Sequence, residues 1–193
     1  MSKGNKPSLL LHTCCAPCSG YLVTQLQKDF DVTIYYDNSN ISPKEEYQKR
    51  KSEAENFYKK EGIKFIESQY NHDNWLKIVE GLESEPERGK RCVLCYYYRL
   101  KNTAQYAKGN GFNCFSSTLS ISPHKDSKIL SNLGRALEKE IGIEFIDENW
   151  KKKERFKHAM KFSHEHDFYH QDYCGCEFSD KRKTKSVKCK ITV

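Results

Sequence analysis

Cysteines carry the densest chemistry in this chain. Seven of the nine fall in three tight groups: Cys14, Cys15 and Cys18 in the string CCAPC, Cys92 and Cys95 in CVLC, and Cys174 and Cys176 in CGC. Thiolates two or three positions apart converge on one soft metal or iron-sulfur cluster, while adjacent cysteines are too constrained for an ordinary structural disulfide. The pattern points to a metal-dependent redox site. A structural four-cysteine zinc site built on Cys92 and Cys95 is the competing reading, but it needs only four thiols, and the surplus favours redox chemistry. Cys114, in an apolar run, reads as a small buried hydrophobe, and Cys189 as incidental.

The elements that must position these thiols follow from alternating short apolar runs and long amphipathic segments, the pattern of a mostly parallel sheet flanked by helices. Strands are predicted at Ser8–His12, Val32–Tyr36, Lys64–Glu67, Cys114–Leu119 and Glu144–Ile146. Helices are predicted at Ser19–Lys28, from Pro43 to near Gly62, at Asp73–Val79, at Cys92–Lys108, from Ser122-Pro123 to about Glu140, and from Lys152 to about His166. Ser42, with Glu45 three residues on and Pro43 between, reads as a capping box. In such a sheet, ligands bind beyond the carboxyl ends of the strands. The CCAPC turn, the 37–41 loop and the 120–124 loop all fall there and can line one crevice. Cys92 and Cys95 share one face at a helix start, where the helix amides favour thiolates.

The 193 residues suit one α/β domain over residues 1–180, followed by a basic tail over 181–193 expected to be disordered. The first residues lack the apolar run of a signal peptide and no later stretch suits a membrane span, so a cytoplasmic protein is expected. In that reducing compartment nine cysteines are not a disulfide framework. The net charge of +7 is concentrated in the tail, where six Lys and Arg residues meet no acid. That tail either steers the protein to RNA phosphates or merely solubilises it. The run Lys151 to Lys161 is a second basic candidate.

The strings LHTCCAPCSG, YYDNSNISPKEEYQKR, RCVLCYYYRL, SSTLSISPHK and YHQDYCGCEFS resemble, in order and at family-like spacing from Leu9 to Ser179, the QueH-type epoxyqueuosine reductases. The resemblance implies a HUP-like (Rossmann-like) three-layer fold and reduction of epoxyqueuosine at the tRNA wobble position to queuosine. It implies that Cys14, Cys15, Cys92 and Cys95 hold a four-iron four-sulfur cluster, and that Cys174 and Cys176 form a redox-active disulfide or hold a further metal. Some relatives carry an acid where this chain has Cys18, which suits a ligand to a second, mononuclear iron. An external electron donor such as a ferredoxin or flavodoxin is implied as well.

Opening an epoxide to an alkene takes two electrons and two protons and releases water, whereas one cluster passes one electron at a time. A second centre helps, either the late dithiol or an open iron acting as Lewis acid. Asp37, Asp172 and His124 are candidate proton donors, each equally able to orient a loop or the substrate. His164, His166 and His170, among acids, read as a solvated face rather than a metal site. Tyr96, Tyr97 and Tyr98 read mainly as core rather than a stacking platform. Two rival functions remain: a zinc-stabilised RNA-binding module without catalysis, and a PP-loop-like tRNA thiolation enzyme. The latter is disfavoured because the first loop has cysteines in place of a Ser-Gly-Gly nucleotide-binding pattern.

Overall fold

The computed structural model describes residues 6–152 and 154–179. The basic tail and Cys189 lie outside the described residues. Five parallel strands, β1 (Ser8–His12), β2 (Asp31–Tyr36), β3 (Lys64–Glu67), β4 (Cys114–Ser117) and β5 (Glu144–Phe145), form one sheet in the order β3-β2-β1-β4-β5. This is the doubly wound order, and the HUP-like three-layer expectation holds. The order reverses between β1 and β4, where the carboxyl ends of the strands part and open a crevice.

Strand periodicity divides the core. Leu9 and Leu11 point to one face with Leu22, Val23, Phe57 and Ala159, while Leu10 points to the other with Leu100, Ala104, Phe115 and Leu137. Helices α1 (Ala16–Leu26), α2 (Lys44–Lys60) and α6 (Arg155–Glu165) cover the first face, and α4 (Lys90–Gly109) and α5 (Ser127–Ile141) the second. The short α3 (His72–Ile78) packs beside α4. Buried apolar side chains such as these each contribute about 1.5–3 kcal/mol. In α4 the buried positions Cys92, Cys95, Tyr96, Arg99, Leu100 and Thr103 recur at three and four residues, so both cysteines and Arg99 share one inward stripe.

Three local expectations are corrected, one by a tertiary partner and two by local side-chain caps. The capping box does not form: Pro43 is the N-cap of α2 without a side-chain cap, and Ser42 instead gives its N–H to Gly175 O and its carbonyl to Tyr173 Oη. β4 stops at Ser117, because the Ser117 hydroxyl accepts from Leu119 N and turns the chain into a 3-10 turn. α5 starts at Ser127 rather than near Pro123, since Asp126 caps it through Lys128 N and Ile129 N. Residues 122–126 are thereby freed as a loop. α1 begins three residues earlier than expected, at Ala16, so the CCAPC string is the helix start itself. No helix among the described residues is long and apolar enough to cross a membrane.

Candidate metal centre

The first thiol group is built by the end of β1 and the start of α1. Cys14 precedes the helix, Cys15 is its N-cap and Cys18 lies in its first turn. Their sulfurs lie within 4.8 Å of one another, and Cys14 and Cys15 are 3.7 Å apart. Hydrogen bonds from Cys15 and Cys18, then the charges of Lys125 and Arg99, hold the Cys14 thiol well below its usual range against the effect of burial. The same sharing raises Cys15 to about 12 and raises Cys18 well above its usual range. One sulfur of the three is therefore a ready thiolate, and a metal that takes all three must displace the other protons.

A rigid polar network lies beneath. Buried His12 has its pKa lowered to about 3, by burial first and then by Arg99. Its Nδ1 shares a hydrogen bond with Ser117 Oγ at 2.9 Å, and its Nε2 lies 3.1 Å from the Asp37 carbonyl and 3.3 Å from Arg99 Nε. Arg99 also donates to Asn38 Oδ1, and Asn38 Nδ2 to the Thr13 carbonyl, which fixes the backbone just before Cys14.

The second group joins α4 to the late segment. Burial pushes the Cys92 and Cys95 thiols up, and Arg88 N donates to Cys92 Sγ at 3.3 Å. A hydrogen bond from Cys176 brings Cys174 down to about 5 and pushes Cys176 up. All eight described cysteines are free. The redox-active disulfide considered for Cys174 and Cys176 is thus not supported; the pair shares a hydrogen bond instead. The late segment is fastened by Arg50, which is buried, paired with Glu46 at 2.7 Å, and donates to the carbonyls of Tyr173 and Cys174. Gly175, at φ +105°, lets the chain pass so close to Ile41 that a Cβ there would come within 2.8 Å of it.

Two adjoining cavities result, with Glu87, Lys125 and Cys174 common to both walls. One is lined by Cys14, Cys18, His124, Gln171 and Asp172, the other by Cys92, Cys95, Cys174, Cys176 and Tyr96. Gln171 also donates to Cys15 Sγ at 3.0 Å, tying the late segment to the first group. A roomier hollow, lined by Ser116, Ser120, Ser127 and Asn149, lies beyond β4 and β5. It holds no thiol, so the thiol crevice is the better candidate.

Of the expected proton donors, Asp172 and His124 line the crevice. Asp37 sits buried at the end of β2, where its carboxylate accepts from Ser68 Oγ and Asn102 Nδ2 and its pKa is raised by burial. His164 stacks on His170 at 4.6 Å and His166 on Phe162 at 3.9 Å, and these histidines form no metal group among the described residues. Tyr96 is buried in the core and Cys114 is a buried strand thiol, as read from the sequence.

Sequence reasoning missed Lys125 and Arg50. Lys125 is half-buried; burial opposes its charge, but Cys14, Cys174 and Cys18 outweigh it and raise its pKa. Its loop is gripped through three successive carbonyls, those of Pro123 and His124 by Arg88 and that of Lys125 by Lys151. The only sequence signal for either residue was its place within a motif string.

A parallel α/β domain with a thiol-lined crevice at its topological switch point defines a site able to hold a soft metal, and comparison with known proteins narrows it. The family model for epoxyqueuosine reductase QueH matches residues 9–182. The epoxyqueuosine reductase QueH of Streptococcus pyogenes is 40% identical over 91% of this chain and 71% of its own length. That of Histophilus somni is 44% identical over 89% and 71%, and that of Thermotoga maritima 31% over 89% and 90%. The chain belongs to the epoxyqueuosine reductase QueH family. In fold alone it is similar to a solved structure described as a predicted subunit of tRNA methyltransferase from Methanocaldococcus jannaschii, with a TM-score of 0.56, 14% identity, and coverage of 79% of this chain and 74% of that one.

Proposed function

We propose that this protein reduces the epoxide of epoxyqueuosine in the wobble position of tRNA to the cyclopentene of queuosine, in the cytoplasm, with electrons delivered through an iron-sulfur centre. The observation that carries this reading is the convergence of six free thiols, from three distant segments, on two adjoining cavities at the switch point of a family member's sheet, with Cys15 3.7 Å behind Cys14.

The donor set fits such a group. It is all sulfur, it lies mostly buried, and one thiol of the first group and one of the late pair already favour the anionic form. Cys14, Cys15, Cys92 and Cys95 would hold a four-iron four-sulfur cluster; Cys18, Cys174 and Cys176 remain beside it for a second, mononuclear iron. When bound, these centres supply single electrons and a Lewis acid. The chain's own residues do the rest. Lys125 keeps a positive charge between the two thiol groups, where it steadies the thiolates and faces the entering substrate. Asp172 and His124 line the same space as the groups able to pass protons to the departing oxygen, which leaves as water after two electrons and two protons. An external single-electron carrier such as a ferredoxin or flavodoxin replenishes the electrons.

Anaerobic purification should give a brown protein containing iron and sulfide. A colourless protein holding only zinc would sink the proposal in favour of a structural metal site. Reduced, reconstituted protein incubated with tRNA bearing epoxyqueuosine should yield queuosine by mass spectrometry, and its absence from an iron-loaded preparation would remove the substrate assignment.

A further inference from the structure

The narrow cavity walled by Cys92, Cys95, Cys174 and Cys176 gathers something else that is rare in a folded core. Trp75 Nε1, Arg91 Nε and Arg91 Nη2 are buried and find no oxygen or nitrogen acceptor, and both residues line this one cavity. Trp75 is 0% and Arg91 1% exposed, so solvent does not serve these N–H groups. Buried donors are nearly always paired, and an unpaired one calls for an acceptor.

Among the described residues, the other buried indole and guanidinium N–H groups are paired. Trp150, the other tryptophan, is similarly buried and donates from Nε1 to the Ser117 carbonyl at 2.9 Å. Buried Arg50 and Arg99 have carboxylate, carbonyl or side-chain oxygen acceptors. The wall shared by Trp75 and Arg91 offers four sulfurs beside Glu87 and Asn40: Trp75 packs with Cys95 and Cys176, and a hydrogen bond from its indole lowers the Cys95 thiol against the larger effect of burial.

Both donors are also held still. Arg91 Nη1 is fixed by the carbonyls of Leu82, Glu83 and Glu85, and its guanidinium lies 5.4 Å from the Phe178 ring. Trp75 is stacked between His72 at 5.5 Å and Phe178 at 6.1 Å. Neither N–H group has to reorganise to meet an anion.

We infer that Trp75 and Arg91 are positioning residues that donate hydrogen bonds to the sulfurs of the metal-sulfur centre Cys92 and Cys95 help to hold, and so set how readily it accepts an electron. The inference rests on the proposed iron-sulfur reading and deepens it. Hydrogen bonds to cluster or thiolate sulfur spread the negative charge that reduction adds, and this raises the reduction potential. Asn40 Oδ1, also unpaired and lining the cavity, is an acceptor; it answers to a hydroxyl or water rather than to sulfur.

The test is an anaerobic redox titration of the full-length, iron-loaded protein, followed by visible absorption and electron paramagnetic resonance, with iron counted per chain. Trp75→Phe keeps the ring and removes the N–H; Arg91→Lys keeps the charge and removes both orphan donors. Each is expected to retain iron and to shift the midpoint to more negative potential, while Trp150→Phe, whose lost N–H faces a carbonyl, leaves it in place. A variant that melts like the wild type without metal yet no longer retains iron also supports the inference, because the donors are then needed to hold the centre. Unchanged potentials in both iron-loaded variants overturn it, as does a change confined to KM for tRNA, which would assign the N–H groups to the substrate. If one variant does not fold, the other decides. Wild-type protein that binds no iron refutes the underlying reading instead, and the two failures are thus distinct.

Discussion

Cys14, Cys15 and Cys18 come from five consecutive positions, and a strand end and a helix start suffice to bring their sulfurs within 4.8 Å. Cys92 and Cys95 meet Cys174 and Cys176 across the crevice, where Arg50, Ser42 and Gln171 help to fasten the late segment. The first group is polarised locally, with Cys15 and Cys18 donating to a Cys14 thiolate. The second is assembled at long range, carries unpaired donors in its wall, and has only Cys174 favoured as thiolate. The difference teaches where each will fail: the first by loss of a sulfur, the second by loss of a fastening.

The largest expected effect is at the first group. Cys14→Ser should abolish stable iron binding and lower reductase activity by more than about 100-fold, since losing a ligand outweighs the 10–100-fold typical of outer partners. Iron content and single-turnover assays check this; a variant with full iron and normal turnover would remove Cys14 from the metal's ligands. At the second group, Arg50→Met leaves the half-buried Glu46 carboxylate with only the Tyr169 hydroxyl as partner and frees the 173–174 carbonyls. A loss of about 3–5 kcal/mol in unfolding free energy is expected, with the first thiol group still able to bind metal. If denaturant melts show no loss, the late segment is held by other means.

Lys125→Met probes what the two groups share. Loss of the cation common to both cavity walls should lower activity about 10–100-fold with iron retained. Equal activity would show that the charge serves neither group. Cys18→Asp should keep more activity and metal than Cys18→Ala, because a carboxylate can replace a thiolate as an iron ligand and a methyl cannot; identical losses would make Cys18 a packing residue. The smallest effect lies outside both groups. Burial pushes Cys114 up to about 12, above the usual thiol value of 9.0. The unfolded chain ionises first, so its thiol term favours folding fully below pH 9 and is progressively lost between about 9 and 12. Below that range native Cys114 should resist iodoacetamide, and rapid labelling at pH 8 would contradict its burial.

Most of the fold was legible because its elements are locally encoded. The run SLLLH and the 3-and-4 spacing of α4 predict a strand and a helix whatever surrounds them, and β3 falls where the sequence placed it. Two of the errors fell where a distant partner outbid a local motif. Ser42 reads as a helix cap but is taken by Gly175 and Tyr173, more than 130 positions away. The SPHKD loop reads as a helix start, but Arg88 and Lys151 take its carbonyls and Asp126 caps the helix beyond it.

By itself, the sequence determined which residues have the chemistry: seven clustered thiols, the α/β alternation, and the strand-end loops that must carry them. Residue type and short spacing suffice for that, because both are local properties of the chain. Only the tertiary structure decided the company the later thiols keep: that Cys174 and Cys176 stand with Cys92 and Cys95, that Lys125 lies between them and the first group, and that Asp37 is turned away from the crevice. Those facts arise from packing and hydrogen bonds between residues tens to more than a hundred positions apart, and no local spacing encodes them.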